Sequence, residues 1–249
     1  MMMFSESEIA QLKKFRLSTE ATDSPLSIRL DQLLCEDRLT AYLETLKERI
    51  HAPNKVVAAS MFIKRYGFLL AMSLYAMSVW NKRIHFDFKS IWMEGKDETE
   101  VWMPTFRFET LEYTKADNDR QSWRKQVIAN LFANHTYALV EMLADVSKLS
   151  KLILWENVAI YIFWLYELLI EDKNFAGIRD QLVADFHFIV QEAEGNLFGA
   201  YHKNPLSRFW KEKMFSTELQ KEIRVRTTCC LYYQTTKDGA RCQTCPCRV

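Results

Sequence analysis

Residues 56–80 read VVAASMFIKRYGFLLAMSLYAMSVW, a long and predominantly apolar stretch. The part without a charged residue, Tyr66 to Asn81, is 16 residues long, whereas a helix needs about 20 apolar residues to span a bilayer. The stretch therefore predicts a long buried helix rather than a membrane span. Gly67 weakens the middle of that helix by about 1 kcal/mol relative to alanine.

Apolar residues recur at spacings of three and four in other parts of the chain, which indicates amphipathic helices. The second strongly apolar stretch, Leu152–Ile170, contains Glu156 and Glu167, as expected for a helix with one edge in water. We predict a short helix over 5–15 and longer helices over 38–50, 119–147, 154–172, 178–197 and 206–220.

Between these helices, the pattern changes to the period of a β-strand. Ile84, Phe86 and Phe88 alternate with polar residues, residues 94–97 form a polar turn, and residues 101–113 are rich in aromatic and β-branched side chains. This pattern predicts a small antiparallel hairpin or meander. The predicted class is mainly α with this small β element, that is α+β.

Composition excludes several classes of protein. Lys and Arg total 33 against 32 Asp and Glu, a net charge of +1, so no broad attraction for nucleic acid is expected. With 6 Gly, 5 Pro and 49% hydrophobic residues, the chain is not of low complexity or disordered. The first residues lack a basic region followed by an apolar one, which predicts a cytoplasmic protein. A peripheral membrane contact remains open.

The end of the chain has a different composition. Five of the 6 cysteines lie within the last 21 residues, in the pattern C-C-x11-C-x2-C plus one more, and this density predicts a metal site. The members are Cys229, Cys230, Cys242, Cys245 and Cys247. We therefore predict a mostly helical body over 1–220 and a metal-binding segment over 221–249.

Spacing distinguishes among metals. Structural zinc sites usually separate the ligands of each pair by two to four residues, which an adjacent Cys229-Cys230 pair does not match. A binuclear iron–sulfur cluster is larger, and the net charge of +4 over residues 221–249 would offset the negative charge of an all-thiolate cluster. Zinc remains an alternative, in which the chain is a structural or interaction protein, and a disulfide is a weaker one.

The segments TCCLYY (Thr228–Tyr233) and CQTCP (Cys242–Pro246) resemble the cluster-binding end of the FhuF-like ferric siderophore reductases. The resemblance implies a 2Fe-2S cluster bound by Cys229, Cys230, Cys242 and Cys245. Eleven residues separate the two pairs here, whereas the family has ten, and Cys247 has no counterpart, so Cys247 is an alternative fourth ligand. The body is similar to the family in length, helix content, and the stretches Lys64-Arg65-Tyr66 and Asn204-Pro205-Leu206.

The resemblance also implies an activity, the one-electron reduction of siderophore-bound Fe(III). Fe(II) is softer and less charged, so the hard oxygen donors of a siderophore release it. No catalytic residue is expected beyond the cluster. Candidate contacts to the ferric siderophore are basic residues near the cluster, namely Arg224, Arg226 and Arg241, with Lys64 and Arg65 as a second choice.

The electron must come from outside this chain. The 6 glycines form neither a G-x-G-x-x-G motif nor a phosphate-binding loop, so no nucleotide or flavin site is predicted. A ferredoxin or an NAD(P)H-dependent flavoprotein is the expected donor. An iron–sulfur sensor without turnover is the remaining alternative function.

Overall fold

The computed structural model describes residues 2–95, 101–116 and 118–248. Its helices are α1 (Glu6–Leu12), α2 (Glu36–Arg49), α3 (Lys55–Trp80), α4 (Arg120–Leu131), α5 (Tyr137–Ser147), α6 (Lys151–Glu171) and α7 (Arg179–His187). Its strands are β1 (Met2–Met3), β2 (Leu17–Ser18), β3 (Ile28–Arg29), β4 (Lys82–Ile84), β5 (Ile91–Glu94), β6 (Thr105–Phe108), β7 (Glu112–Lys115), β8 (Met214–Ser216) and β9 (Lys221–Ile223). The predicted α+β class is confirmed.

Helices α3 and α6 pack side by side at the centre of the molecule. They run in the same direction, since Asn157 Nδ2 donates to Ser60 Oγ at 2.9 Å near their starts and Tyr166 bonds to Ser78 further along. Gly67 lies directly against the ring of Tyr161 on α6, and an added Cβ would lie 2.6 Å from Tyr161 Cδ2. The glycine that weakens α3 as an isolated helix therefore permits its close packing on α6.

By length and composition, both α3 and α6 could cross a membrane. However, 78% of the apolar window of α3 and 61% of that of α6 are buried inside the protein. Helices at the core of a folded domain have this burial, so the two helices are weak evidence for a membrane span.

Two small sheets lie beside the helices. Strands β2, β6, β5 and β3 form one in that order, with β5 and β6 antiparallel, and β1, β7 and β4 form the other. The predicted antiparallel strands are present, but the alternation over 84–88 does not form one continuous strand, because the chain turns between β4 and β5. There Asp87 Oδ1 accepts from the N–H of Lys89 at 3.0 Å, a local bond that competes with strand pairing. Of the predicted turn over 94–97, residues 96 and 97 lie outside the described residues.

The predicted helices match the structure over most of the body, but two predictions fail near its end. Helix α7 and its π-helical continuation end at Glu192, before the predicted end at 197. Residues 206–220 are not a helix but a 3-10 turn followed by the β8–β9 hairpin. The spacing of apolar residues predicted a helix with a buried face over this stretch. Met214 and Phe215 are instead 54% and 61% exposed.

Candidate metal centre

The sulfur atoms of the tail cysteines lie in two groups. Cys230 Sγ and Cys242 Sγ are 3.8 Å apart, and the Sγ atoms of Cys229, Cys245 and Cys247 all lie within 4.8 Å of one another. Two thiolates bound to one tetrahedral metal ion at about 2.3 Å lie roughly 3.8 Å apart. The arrangement therefore fits a centre with two metal ions better than a single ion.

The backbone turns sharply directly after the adjacent cysteines. Leu231 has a φ of 63°, the left-handed conformation that costs a residue with a side chain about 1 kcal/mol or more. The bend lets Cys229 and Cys230 face different groups of sulfurs, and it aims the N–H of Leu231 at Cys229 Sγ, 3.4 Å away. The tight bend that adjacent ligands require is therefore present.

A cation lies beside each group. Lys64 Nζ, on α3, is 3.8 Å from Cys230 Sγ and 5.0 Å from the centre of the Tyr232 ring. Arg241 Nη1 is 3.8 Å from Cys245 Sγ, and its guanidinium lies 4.3 Å from the centre of the Tyr233 ring. These contacts offset negative charge on the sulfurs.

Of the two cysteines Cys230 and Cys242, Cys230 is the one that ionises more readily than a free cysteine. The hydrogen bond with Cys242 lowers the pKa of Cys230 to about 5, and the positive charges of Lys64 and Arg226 act in the same direction. The same hydrogen bond raises the pKa of Cys242. Because the thiolate is the form that binds metal, this environment favours metal binding at Cys230.

A buried carboxylate on α6 fixes the chain just before the cysteines. Glu156 accepts hydrogen bonds from the N–H groups of Thr227 at 2.5 Å and Thr228 at 2.7 Å, and also from the Thr228 hydroxyl. Its side chain is 2% exposed. The entry to the cysteine segment is therefore anchored to the core of the body.

Arg226 lies beneath the same segment. Its Nη2 donates to Asn157 Oδ1 at 2.7 Å and lies 3.7 Å from Glu156 Oε2. Asn157 in turn donates to Ser60, whose hydroxyl donates to the carbonyl of Cys230 at 2.7 Å. Nε and Nη1 of Arg226 are buried without a hydrogen-bond partner, close enough to Cys230 to lower its pKa. Buried donors beside a thiolate pair fit a cluster that carries acceptor sulfides.

The other predicted siderophore contacts lie in different surroundings. Arg224 stacks 3.4 Å from the centre of the Trp210 ring and pairs with Glu167 at 2.6 Å. Arg65 Nη1 donates to the Tyr161 hydroxyl at 3.2 Å. Arg226 is 5% exposed. Of the five predicted contacts, the structure brings Lys64, Arg226 and Arg241 close to the sulfurs.

The residues on the body that hold the cysteine segment were not among the predicted site residues. Ser60 and Asn157 are small polar residues on apolar helices, a pattern that is also typical of a satisfied core. The signal for Glu156 was stronger, because a carboxylate in the apolar run Leu152–Ile170 needs a partner if it is buried. Its partners lie more than 70 residues away along the chain, where spacing gives no indication.

Comparison with known protein families agrees with this geometry. Residues 87–212, just over half of the chain, match the model described as ferric iron reductase FhuF-like transporter. Residues 226–246 match the FhuF 2Fe-2S C-terminal domain. No curated protein matches the chain. The predicted 2Fe-2S cofactor is thereby confirmed, and the zinc alternative is not retained.

Proposed function

This chain belongs to the FhuF-like ferric iron reductase family, and from that membership we propose that it reduces siderophore-bound Fe(III) to Fe(II) in the cytoplasm. Each Fe(III) gains one electron, and the oxygen donors of the siderophore then release the softer Fe(II). The observation that supports this proposal best is the arrangement of the cysteine sulfurs in two groups, within the segment that matches the 2Fe-2S domain. Lys64 lies beside one group and Arg241 beside the other. When bound, the cluster supplies a centre that exchanges single electrons.

The two groups of sulfurs suggest how the ligands are shared. We propose that Cys230 and Cys242 bind one iron and that Cys229 and Cys245 bind the other, so that the adjacent cysteines serve different irons. Cys247 is exposed and contributes its backbone N–H to Cys245. Its thiol remains the alternative to Cys245 as the fourth ligand.

The surrounding residues bind and orient rather than transfer protons. Lys64 and Arg241 offset the negative charge of the thiolates, while Glu156 and Asn157 hold the segment against the body. We therefore propose a structural role for Arg226 and Arg224 in place of a chelate contact, whereas Arg241 and Arg65 remain candidates for one. The reaction needs an external donor, a ferredoxin or an NAD(P)H-dependent flavoprotein.

Cysteine variants test the ligand assignment. In anaerobically purified protein, Cys230→Ser and Cys242→Ser are expected to lose the visible absorption of the cluster or to shift it strongly. Cys35→Ser is the matched control, because Cys35 is exposed at the start of α2. Cys247→Ser should retain the spectrum and Cys245→Ser should not. The reverse result for these two would assign the fourth ligand to Cys247.

Reoxidation tests the reaction. Protein reduced with dithionite and freed of excess reductant should recover its oxidised spectrum when a ferric siderophore is added, with release of Fe(II) to a ferrous chelator. A cluster that stays reduced with every class of ferric siderophore would contradict the proposal. That result would favour the alternative of a sensor without turnover.

A further inference from the structure

A cavity of about 520 Å³ lies on the body, between the start of α6 and residues 201–209. Its volume is within the range of about 300–1,000 Å³ that is typical of small-molecule sites. The metal centre described above does not use it.

The cavity is basic. Among the described residues that line it are Lys151, His202, Lys203 and Arg208, and none of its lining residues is acidic. Lys151 is paired with Glu141 at 2.6 Å, but Lys203 and Arg208 are exposed and are free to face a ligand. Charged donors of this kind bind oxyanions strongly, and arginine does so with two parallel hydrogen bonds.

One side of the cavity is aromatic. Trp155 and Tyr201 pack edge to face with ring centres 5.7 Å apart, and Trp155 Nε1 donates to the Tyr201 hydroxyl at 2.8 Å. That bond leaves the hydroxyl proton of Tyr201 available as a donor to a ligand oxygen. Burial raises the pKa of Tyr201, so this donor keeps its proton.

Residues 201–209, most of which line the cavity, are held in place by a close backbone contact at Gly195 and by the hydrogen bonds of Asn204. A Cβ on Gly195 would lie 2.7 Å from the backbone nitrogen of Lys203 and would also clash with the carbonyl of Tyr201. Asn204 donates to the carbonyl of Ile189 at 2.8 Å and accepts from the N–H of Leu206 at 2.9 Å. The cavity is therefore preorganised, which reduces the entropic cost of binding.

The cavity is connected to the cysteine segment through α6. Trp155 is followed along α6 by Glu156, whose carboxylate binds the N–H of Thr228, the residue directly before Cys229. One peptide unit, one side chain and one hydrogen bond thus connect the cavity to the metal-binding segment.

We propose that this cavity, rather than Arg241 or Arg65, binds the ferric chelate, and that it selects chelates with net negative charge, of the catecholate or hydroxycarboxylate type, over neutral trihydroxamates. This inference rests on the proposed function for the identity of its ligand. In a tris-catecholate chelate, the phenolate oxygens outnumber the charges of the metal ion, which leaves negative charge for Lys203 and Arg208. A trihydroxamate chelate of Fe(III) has no net charge and gains nothing from them.

Binding is measured with Ga(III) chelates, because Ga(III) forms the same chelates as Fe(III) and accepts no electron. Calorimetry of the cluster-containing protein should give at least ten-fold tighter binding of Ga(III) tris-catecholate than of a neutral Ga(III) trihydroxamate. The double variant Lys203→Glu/Arg208→Glu should weaken the catecholate by ten-fold or more. The matched control is Lys211→Glu, at an exposed lysine outside the lining, which should bind as the unmodified protein does.

Three results would overturn the inference. The first is equal affinity for the two Ga(III) chelates, and the second is an unchanged affinity for the catecholate in the double variant. The third is displacement of the Ga(III) catecholate by NADPH or FMN that binds more tightly, which would assign the cavity to the electron donor. The proposed function fails separately. If Ga(III) catecholate binds but no ferric chelate reoxidises the cluster, the proposal of a chelate site in the cavity is supported and the proposal of reductase activity is contradicted. If the double variant reduces ferric chelates as fast as the unmodified protein does, the reductase activity is supported and the chelate site in the cavity is contradicted.

Discussion

Lys64 is one of three charged side chains on α3, a helix that is otherwise mainly apolar. It lies on α3 one helical turn after Ser60, and both residues reach Cys230, through its sulfur and its carbonyl respectively. Burial lowers the pKa of Lys64, and the negative charge of Cys230 opposes this effect. An ammonium group that is partly withdrawn from water is stabilised by a nearby negative charge, and Cys230 Sγ, 3.8 Å away, supplies that charge at the metal centre.

Replacement of Lys64 by methionine should lower the reduction potential of the cluster, because a nearby positive charge favours the more negative reduced state. We expect a shift of roughly some tens of millivolts, measured by a spectroscopic redox titration. Lys55→Met, at the first residue of the same helix, is the control and should leave the potential unchanged. Equal potentials for both variants would show that Lys64 does not act on the cluster.

At the scale of elements, the close packing of α3 on α6 depends on Gly67. The sequence predicted the helix correctly but could assign Gly67 only its cost in helix propensity. The benefit depends on Tyr161, a residue far along the chain whose ring occupies the space a side chain would need. Similarly, the periodic apolar residues of 206–220 predicted a helix, since a sequence pattern does not reveal that Phe215 is exposed in a hairpin.

Gly67→Ala should destabilise the protein although it improves helix propensity. Overpacking costs about 1–3 kcal/mol, and the gain in propensity is about 1 kcal/mol. We therefore expect a net loss of about 1 kcal/mol in the free energy of unfolding, measured by denaturant titration. Gly177→Ala, where an added Cβ meets nothing within 4 Å, should cost little. A Gly67→Ala variant with the same free energy of unfolding as the unmodified protein would contradict the close packing of α3 and α6 at this position.

The junction between α6 and the cysteine segment gives a second prediction for an element. Glu156→Ala removes the acceptor of two backbone N–H groups and leaves Arg226 buried beside it, a loss of about 3–5 kcal/mol for a broken buried pair. We expect loss of the cluster absorption with retention of the far-UV circular dichroism of the helices. The control Glu167→Ala breaks a more exposed pair with Arg224 and should retain the cluster.

At the scale of the whole molecule, the cysteine segment depends on the body, whereas the helices of the body have a core of their own. The predicted boundary at residue 220 lies between β8 and β9, which pair with each other, so the hairpin joins the two predicted parts. The cofactor was predictable because the cysteines proposed to bind it are close in sequence. The basic cavity was not, since Trp155 and Lys203 come together only after α6 and residues 201–209 have packed.

Removal of the cluster should therefore act locally. We expect faster hydrogen exchange over residues 224–248 in the cluster-free protein, while α3 and α6 keep their protection, because the helices retain their own core contacts. Hydrogen exchange with mass spectrometry of both forms measures this. Loss of protection that begins at 214 would place the boundary before the hairpin, and loss throughout α3 would mean that the body cannot fold without the cluster.

The chain of hydrogen bonds from Ser60 through Asn157 to Arg226 has a consequence for the order of folding. Ser60 and Asn157 are 97 positions apart, and Ser60 and the carbonyl of Cys230 are 170 apart. Contacts of such long range form late, since each must close a long loop. We therefore expect the metal centre to be completed after α3 and α6 have packed, and to be lost when they separate. The visible absorption of the cluster then reports whether α3 and α6, which are far apart in the sequence, are packed against each other.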